Sequence, residues 1–432
     1  MKKSVSKWMA LMLALTMLCL CLGACGEPDT PVTDPAASTN KPADKPADTT
    51  GSTQPASEPI TITFWHTYGD SEEAQFRDVV LPLWEKAHPD IHVEAVRQDS
   101  SQYHQMIVTS FGTGMSPDVA RVDIANIAAY AKQGGLAALS DYADFAELSG
   151  NYLEAPLSTN LYQGKYYGLP LDTNCKAAVV NTNVLKELVL DEIPATMEEF
   201  IEAAKTRGTY SLNVSGVGDW DMYPYFWLFG GVLTDDGFTK ASGYLDSDAS
   251  IAAMQKIVEL HDEKVFTIRD VDGSVDAWDG INSEYAMFFE GPWAPFNEEN
   301  GIVPALIPTW NGKSASVVGG ENIVIFSGSQ KQEAAFQFVQ FMLSEEVQLE
   351  LLKVGVIPTL KACVDSEAVQ ADPKWSVYMK QLESAQSRIP TPQASTVEQL
   401  WQDAMTEIFI EGADVQSTLT SYAAEIDAEL AK

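Results

Sequence analysis

Between Tyr162 and Asn183 the chain reads YQGKYYGLPLDTNCKAAVVNTN, a polar turn followed by two extended apolar runs with Asp172-Thr173-Asn174 between them. Gly164-Lys165 marks a tight turn, Tyr166, Tyr167, Leu169 and Leu171 favour strand, and Pro170 forbids a helix interior. Lys176 to Val180 then resumes the apolar character. The stretch predicts a strand, a polar crossing and a second strand in a different packing unit. A chain of 432 residues with 45% hydrophobic content can bury two such units.

Ahead of the crossing, Ile60 to Phe64 is a short β-branched strand. Trp65 to Ser71 follows as a polar and aromatic loop, then an amphipathic helix through Trp84 to Ala87, with Trp84 read as core. Loops beyond the carboxyl ends of strands in an open α/β sheet are where ligands bind, which makes Trp65, His66 and Tyr68 candidates. His92 to Val96 reads as a strand, Ser101 to Phe111 as a helix, and Val119 to Val122 as a strand ending in Asp123. Asp123 admits two readings, an acceptor for ligand hydroxyls or the N-cap of a helix from Ala125. The βαβα alternation predicts a largely parallel sheet with helices on its faces.

Beyond the crossing, Thr196 and Glu199 form a capping-box pattern for a helix running to Lys205. Trp220, Tyr223 and Trp227 fall on one helical stripe, of which Trp227 is read, with Phe229, as packing. Trp220, between two aspartates in a Gly-rich approach, reads either as a ligand platform or as packing. Trp278 lies in a polar loop, and Gly319-Gly320 ahead of Glu321 permits close backbone approach to a ligand. Helices are expected over Gln332 to Leu343, Glu345 to Val354 with Ser344 as cap, Trp375 to Glu383, and Glu398 to Glu429.

The N-terminal end has a different character. Lys2, Lys3 and Lys7 precede an uncharged apolar run from Trp8 to Leu22, a secretory signal pattern too short for a comfortable membrane span. It ends in Leu22-Gly23-Ala24-Cys25, which resembles the bacterial lipobox, with ordinary secretion after cleavage at Ala24 as the alternative. Gly26 to Glu58 is rich in Pro, Thr, Ala, Ser and Asp and reads as a disordered tether with an r.m.s. span on the order of 30 Å. Cleavage would remove three of the 27 basic residues and none of the 61 acidic ones, leaving a chain more acidic still than −34. Such a surface repels nucleic acid and anionic lipid. Cys175 and Cys363 show no metal-ligand spacing, and two unpaired thiols are the expected state, with a disulfide as the alternative.

Several strings resemble one family in the same order along the chain. GKYYGLP, then AAVVNTNVLKE and IPATMEEFIEAAK, resemble the first interdomain crossing of the extracellular solute-binding proteins of sugar ABC transporters, the group that includes maltose-binding protein. FGTGMSPDV, YAMFFEGPW and EAAFQFVQFMLSEEVQ before GVIPT resemble its later signatures, while Val180 and Met197 depart from the family's usual Tyr and Trp. The resemblance implies a periplasmic-binding-protein-like α/β fold, with two lobes joined by three crossings and a ligand cleft between them. Residues 1–24 would be the signal peptide and 25–58 the lipidated Cys and tether. One lobe would comprise 59–173 with 310–360, the other 174–309 with 361–432.

In that frame the second crossing falls at Ile302 to Trp310, the third places Cys363 near Cys175, and Trp293 opens a helix at the cleft. The candidate ligand contacts are Trp65, His66, Tyr68, Asp123, Asp172, Trp220, Tyr223, Trp278, Trp293, Glu321 and Arg388, with a structural ion pair equally open for Arg388. Aromatic faces with carboxylates and amides suit a neutral carbohydrate, here an oligosaccharide. The implied partners are ABC permease subunits and, through the lipid on Cys25, the bilayer. The chain is expected to act as a monomer outside the cytoplasm, without cofactor, metal, nucleic acid or catalysis. Tyr166-Tyr167, a conceivable ferric-iron pair, fits the turn structurally. A secreted glycoside hydrolase is the competing class, needing two carboxylates across a bond; there is no GxSxG nucleophile signature. A sugar-sensing lipoprotein reporting to a membrane receptor is the third.

Overall fold

A computed structural model describes residues 59–432; the signal pattern, Cys25 and the tether lie outside them. Strands β1 (Ile60–His66), β2 (Ile91–Arg97) and β3 (Val119–Asp123) open the chain, and β4 (Leu161–Tyr162) and β5 (Lys165–Tyr166) form a small hairpin. Then follow β6 (Leu169–Pro170), β7 (Asn174–Cys175), β8 (Ala177–Asn181), β9 (Leu212–Val214), β10 (Phe266–Ile268), β11 (Met287–Glu290) and β12 (Ile302–Ala305). The last are β13 (Ser316–Gly319), β14 (Glu321–Ile325) and β15 (Ala385–Ser387).

Two five-stranded sheets result, β2-β1-β3-β14-β6 and β10-β9-β11-β8-β12. In the first, β1 runs parallel to β2 and β3, and β14 returns antiparallel with Glu321 opposite Asp123. Alternation divides its side chains between two cores. Ile62, Phe64 and Ile323 meet Phe76, Trp84, Phe338 and Val339 on one face, while Ala120, Val122 and Val324 meet Tyr103, Ile107 and Tyr130 on the other. The second sheet is covered likewise, by Met222, Phe226, Met254 and Trp401 on the face of Ala178 and Val180, and by Ala277 and Ile281 on that of Val179 and Phe288.

The polar interruption Asp172-Thr173-Asn174 carries the chain from β6 of the first sheet to β8 of the second, through β7 of a separate three-stranded sheet, β15-β13-β7. The return passes from β12 through β13 to β14. A third passage follows the bridge of Ile357 with Thr173 and leads to the helix Pro373–Leu382, which packs Trp375 and Tyr378 with Cys175 and Ala177. Cys175 and Cys363 are both buried and unpaired; their thiols face the carbonyls of Tyr378 and Glu345 respectively.

Some local expectations are corrected. β1 does not end at Phe64 but pairs with β2 as far as His66 opposite Arg97, so Trp65 and His66 are strand rather than loop. Ser344 occupies an N-cap position without a side-chain cap bond. The expected helix Glu398 to Glu429 is two helices, Ala394–Phe409 and Val415–Leu430, broken where Gly412 turns left-handed (φ 71°) and Asp414 caps the second by accepting from Ser417 N. Trp278 sits on a short helix, Ala277–Gly280, and Trp293 is followed by turns and extended chain instead of a helix.

Candidate functional site

The carboxyl ends of β1 and β3 and the exit of the first crossing border a cavity of about 520 Å³. Thr67, Glu72, Arg121, Asp172 and Glu321 line it from the first sheet's side, and Trp293 from the second's. A smaller hollow of about 170 Å³ is lined by Asp123 and Asn126 on one side and by Asp219, Tyr223, Arg388 and Glu398 on the other.

Three cations organise these walls, each held between two carboxylates. Arg121, a charge inside β3, reaches Asp172 at 3.2 Å and Glu321 at 2.7 Å, with its guanidinium 4.8 Å from the centre of the buried Tyr68 ring. Burial pushes the Glu321 carboxyl above its usual range, with Arg121 opposing the shift and Asp172 and Asp123 adding to it. Lys176, only 2% exposed between β7 and β8, has its ammonium 2.5 Å from Asp221, 3.8 Å from Glu290 and 5.2 Å from the centre of the Trp220 ring. Burial raises the Glu290 carboxyl, and Lys176 opposes that shift. Arg388 bonds both oxygens of Asp123, at 2.7 and 2.8 Å, and lies 3.9 Å from Asp219. Burial disfavours the Arg388 charge, but Asp123 and Asp219 overcome it and raise its pKa. Burial followed by the Asp219 charge lifts Glu398 to about 7.

Against this polar wall stands an aromatic pair. Trp220 and Trp293 stack with centroids 6.1 Å apart and planes 23° from parallel, and Trp293 is 42% exposed. Close packing fixes both rings. A methyl group on Gly319 would sit 2.2 Å from Asn174 Oδ1 and 2.7 Å from the Trp220 ring, and one on Gly291 would sit 2.4 Å from the Trp293 ring. Gly320, at φ 125°, lets the return crossing pass against the Asp172 carbonyl, where a methyl group would lie 2.5 Å away.

Of the residues singled out in the sequence, Asp172, Trp293 and Glu321 line the larger cavity, Asp123, Tyr223 and Arg388 the smaller hollow, and Trp220 backs Trp293. The others are placed elsewhere. Trp65 lines a surface hollow with Gln102, Gln105, Met106 and Met115. His66 is fully buried among Phe64, Tyr68 and Phe76, because even-numbered residues of β1 point into that core, and Tyr68 is buried beside it. Trp278 lies outside both hollows. Asp123 takes the cap role read for it, accepting from Ala125 N, and its carboxylate is also bonded by Arg388. Sequence reasoning missed Arg121, Lys176, Asp219 and Glu398. For the first two a signal existed: a lone cation within a run of otherwise buried strand residues, VARVD and NCKAAVV.

A family model described as bacterial extracellular solute-binding protein matches residues 84–377. The diacetylchitobiose binding protein DasA of Streptomyces coelicolor is 26% identical over 322 residues, 70% of this chain and 74% of that protein. The GacH receptor of Streptomyces glaucescens, solved unliganded and in complex with acarbose, superposes with a TM-score of 0.78 at 23% identity, covering 87% of this chain and 99% of that one. Maltose-bound MalE3 of T. maritima gives a TM-score of 0.74 at 22% identity, over 85% and 99% of the two chains.

Proposed function

Since the chain belongs to the bacterial extracellular solute-binding protein family, whose members bind rather than transform their ligands, we propose that it captures a carbohydrate in this cleft and delivers it to the permease of an ABC importer. The observation that carries the reading is the half-exposed Trp293, backed by Trp220, opposite a wall whose cations are already neutralised by carboxylates. An indole face suits the C–H face of a sugar ring. Arg121 and Arg388, saturated by Asp172, Glu321 and Asp123, offer hydrogen bonds to hydroxyl groups but little attraction to an anion. The diacetylchitobiose, acarbose and maltose in the names of similar proteins are neutral or nearly neutral saccharides of this kind.

In this reading residues 59–173 with 310–360 form one lobe and 174–309 with 361–432 the other, a division supported by the memberships of the two sheets. Closure over the ligand presents the face that the permease recognises, driven by tighter binding to the closed state. No bond of the ligand changes. The monomer is tethered by a lipid on Cys25, a reading that rests on the lipobox-like LGAC string; in a bacterial host, Cys25→Ala would shift the protein from the membrane fraction to the medium.

The test is a titration of the full chain, in detergent, with maltose, maltotetraose and diacetylchitobiose, followed by tryptophan emission and by recovery of the sugar. Saturable binding with the sugar intact, weakened at least tenfold in Trp293→Ala, is the expected outcome; ~1.4 kcal/mol of lost stacking suffices. Cleaved sugar would return the chain to the hydrolase class.

A further inference from the structure

We propose that Lys176 is a positioning residue that builds the Trp220–Trp293 platform from the interlobe crossing; the inference rests on the carbohydrate reading of the cleft. Lys176 belongs to the passage between β7 and β8, and its neighbours Cys175 and Ala177 are fully buried. Its own carbonyl accepts from Ser316 on β13, so the outward and return crossings are bonded at this residue. The side chain leaves that junction and ends under the platform, its ammonium 5.2 Å from the Trp220 ring centre.

The two carboxylates that share the ammonium are the two roots of the platform. Asp221 follows Trp220 in the first turn of the helix Asp219–Leu228. Glu290 ends β11 and accepts from Gly291 N at 2.7 Å, which fixes the start of the loop that carries Trp293. One cation thus holds the base of each indole and faces one of them directly. Simple filling of the space does not require a lysine, because an apolar side chain of similar length avoids the desolvation cost of a buried ion. A cation matched to two carboxylates and an aromatic face fixes direction where apolar packing fixes only volume.

The consequence is that the platform is registered to the crossings and not only to the helix that carries Trp220. Without the ammonium, the Asp221 and Glu290 carboxyl groups are left unmatched, and the two indoles lose their common anchor. The spectroscopic signature of that anchor is the exciton couplet that two stacked indoles give in circular dichroism, identified here as the component lost in Trp220→Phe.

The experiment compares the full chain with Lys176→Met and with Lys176→Met/Asp221→Asn, the second removing the unmatched charge so that folding does not hinge on it. The readouts are the couplet, the thermal midpoint and the affinity for maltose and diacetylchitobiose. Loss of the couplet together with an at least tenfold weaker Kd, in whichever variant keeps a cooperative thermal transition, is the expected result. A retained couplet overturns the proposal, and so does a lost couplet with Kd within twofold of the wild type. Were the wild type to bind neither saccharide, the carbohydrate reading would fail, while the couplet of the ligand-free protein would still decide whether Lys176 positions the platform.

Discussion

A nitrogen-bearing ring among aromatic carbons ties the stability of this protein to pH. Burial first, then the charges of Arg121, Arg77 and Arg97, lower the pKa of His66 from 6.5 to about 3, even though Glu73 Oε2 lies 3.4 Å from its Nε2. The ring is therefore neutral in the fold between pH 6.5 and about 3, where the unfolded chain protonates it. Between pH 6.5 and about 3 the unfolded state binds the extra proton, so this residue's contribution is complete above 6.5 and is lost progressively as pH falls through that window. The slope is at most about 1.4 kcal/mol per pH unit. His66→Phe keeps the ring among Phe64, Tyr68 and Phe76 while removing the titration. Urea midpoints measured from pH 7 to pH 4 are expected to fall less steeply in the variant; parallel slopes would show that His66 is not the group responsible.

Elements are where the sequence was most readable, and their ends where it was least. Thr196 and Glu199 mark the start of the helix Met197–Arg207, and the Thr196 hydroxyl accepts from Glu199 N at 3.3 Å as that pattern predicts. Thr196→Ala should cost about 1 kcal/mol in chemical denaturation, and Thr196→Ser should restore most of it. An unchanged midpoint in Thr196→Ala would mean that the bridge of Thr196 with Thr309 holds the helix start without the cap. Strand and helix identities around Ile62, Val93, Val119 and Phe338 follow from periodicity, which is a local property. The reach of β1 to His66 does not, since it is decided by pairing with Arg97 on another strand. Within the site, Trp293 could be nominated from the string YAMFFEGPW that resembles a family signature, Glu321 from the paired glycines before it, and Trp220 because it sits between aspartates. Glu398 could not, because its raised pKa comes from burial and then from Asp219, and only the tertiary fold creates either.

At the scale of the whole molecule, the two sheets are joined through the cleft by an ion pair as well as by the crossings. Asp123 ends β3 of the first sheet, while Arg388 follows β15 and lies beside Asp219 and Glu398 on helices packed against the second. The residues are 265 positions apart, bonded through two oxygens of one carboxylate, and Asp123 is 40% exposed. Such a pair is worth on the order of 1 kcal/mol once solvent screens it, enough to shift a two-state closure equilibrium about fivefold. Arg388→Ala removes the tie and leaves Asp123, Asp219 and Glu398 facing one another. Glu398, with its pKa lifted to about 7 from 4.5, favours the fold below that interval and loses the contribution as pH rises through 7. Ligand-free Arg388→Ala is therefore expected to show a larger radius of gyration than the wild type in X-ray scattering at pH 8. Part of the difference should be recovered at pH 5, where Glu398 carries a proton and repulsion in the hollow falls. Saturating saccharide should close both proteins, the variant at higher concentration because ligand binding must then supply what the ion pair supplied. Identical scattering of the two ligand-free proteins at both pH values would show that the crossings alone set the separation of the lobes.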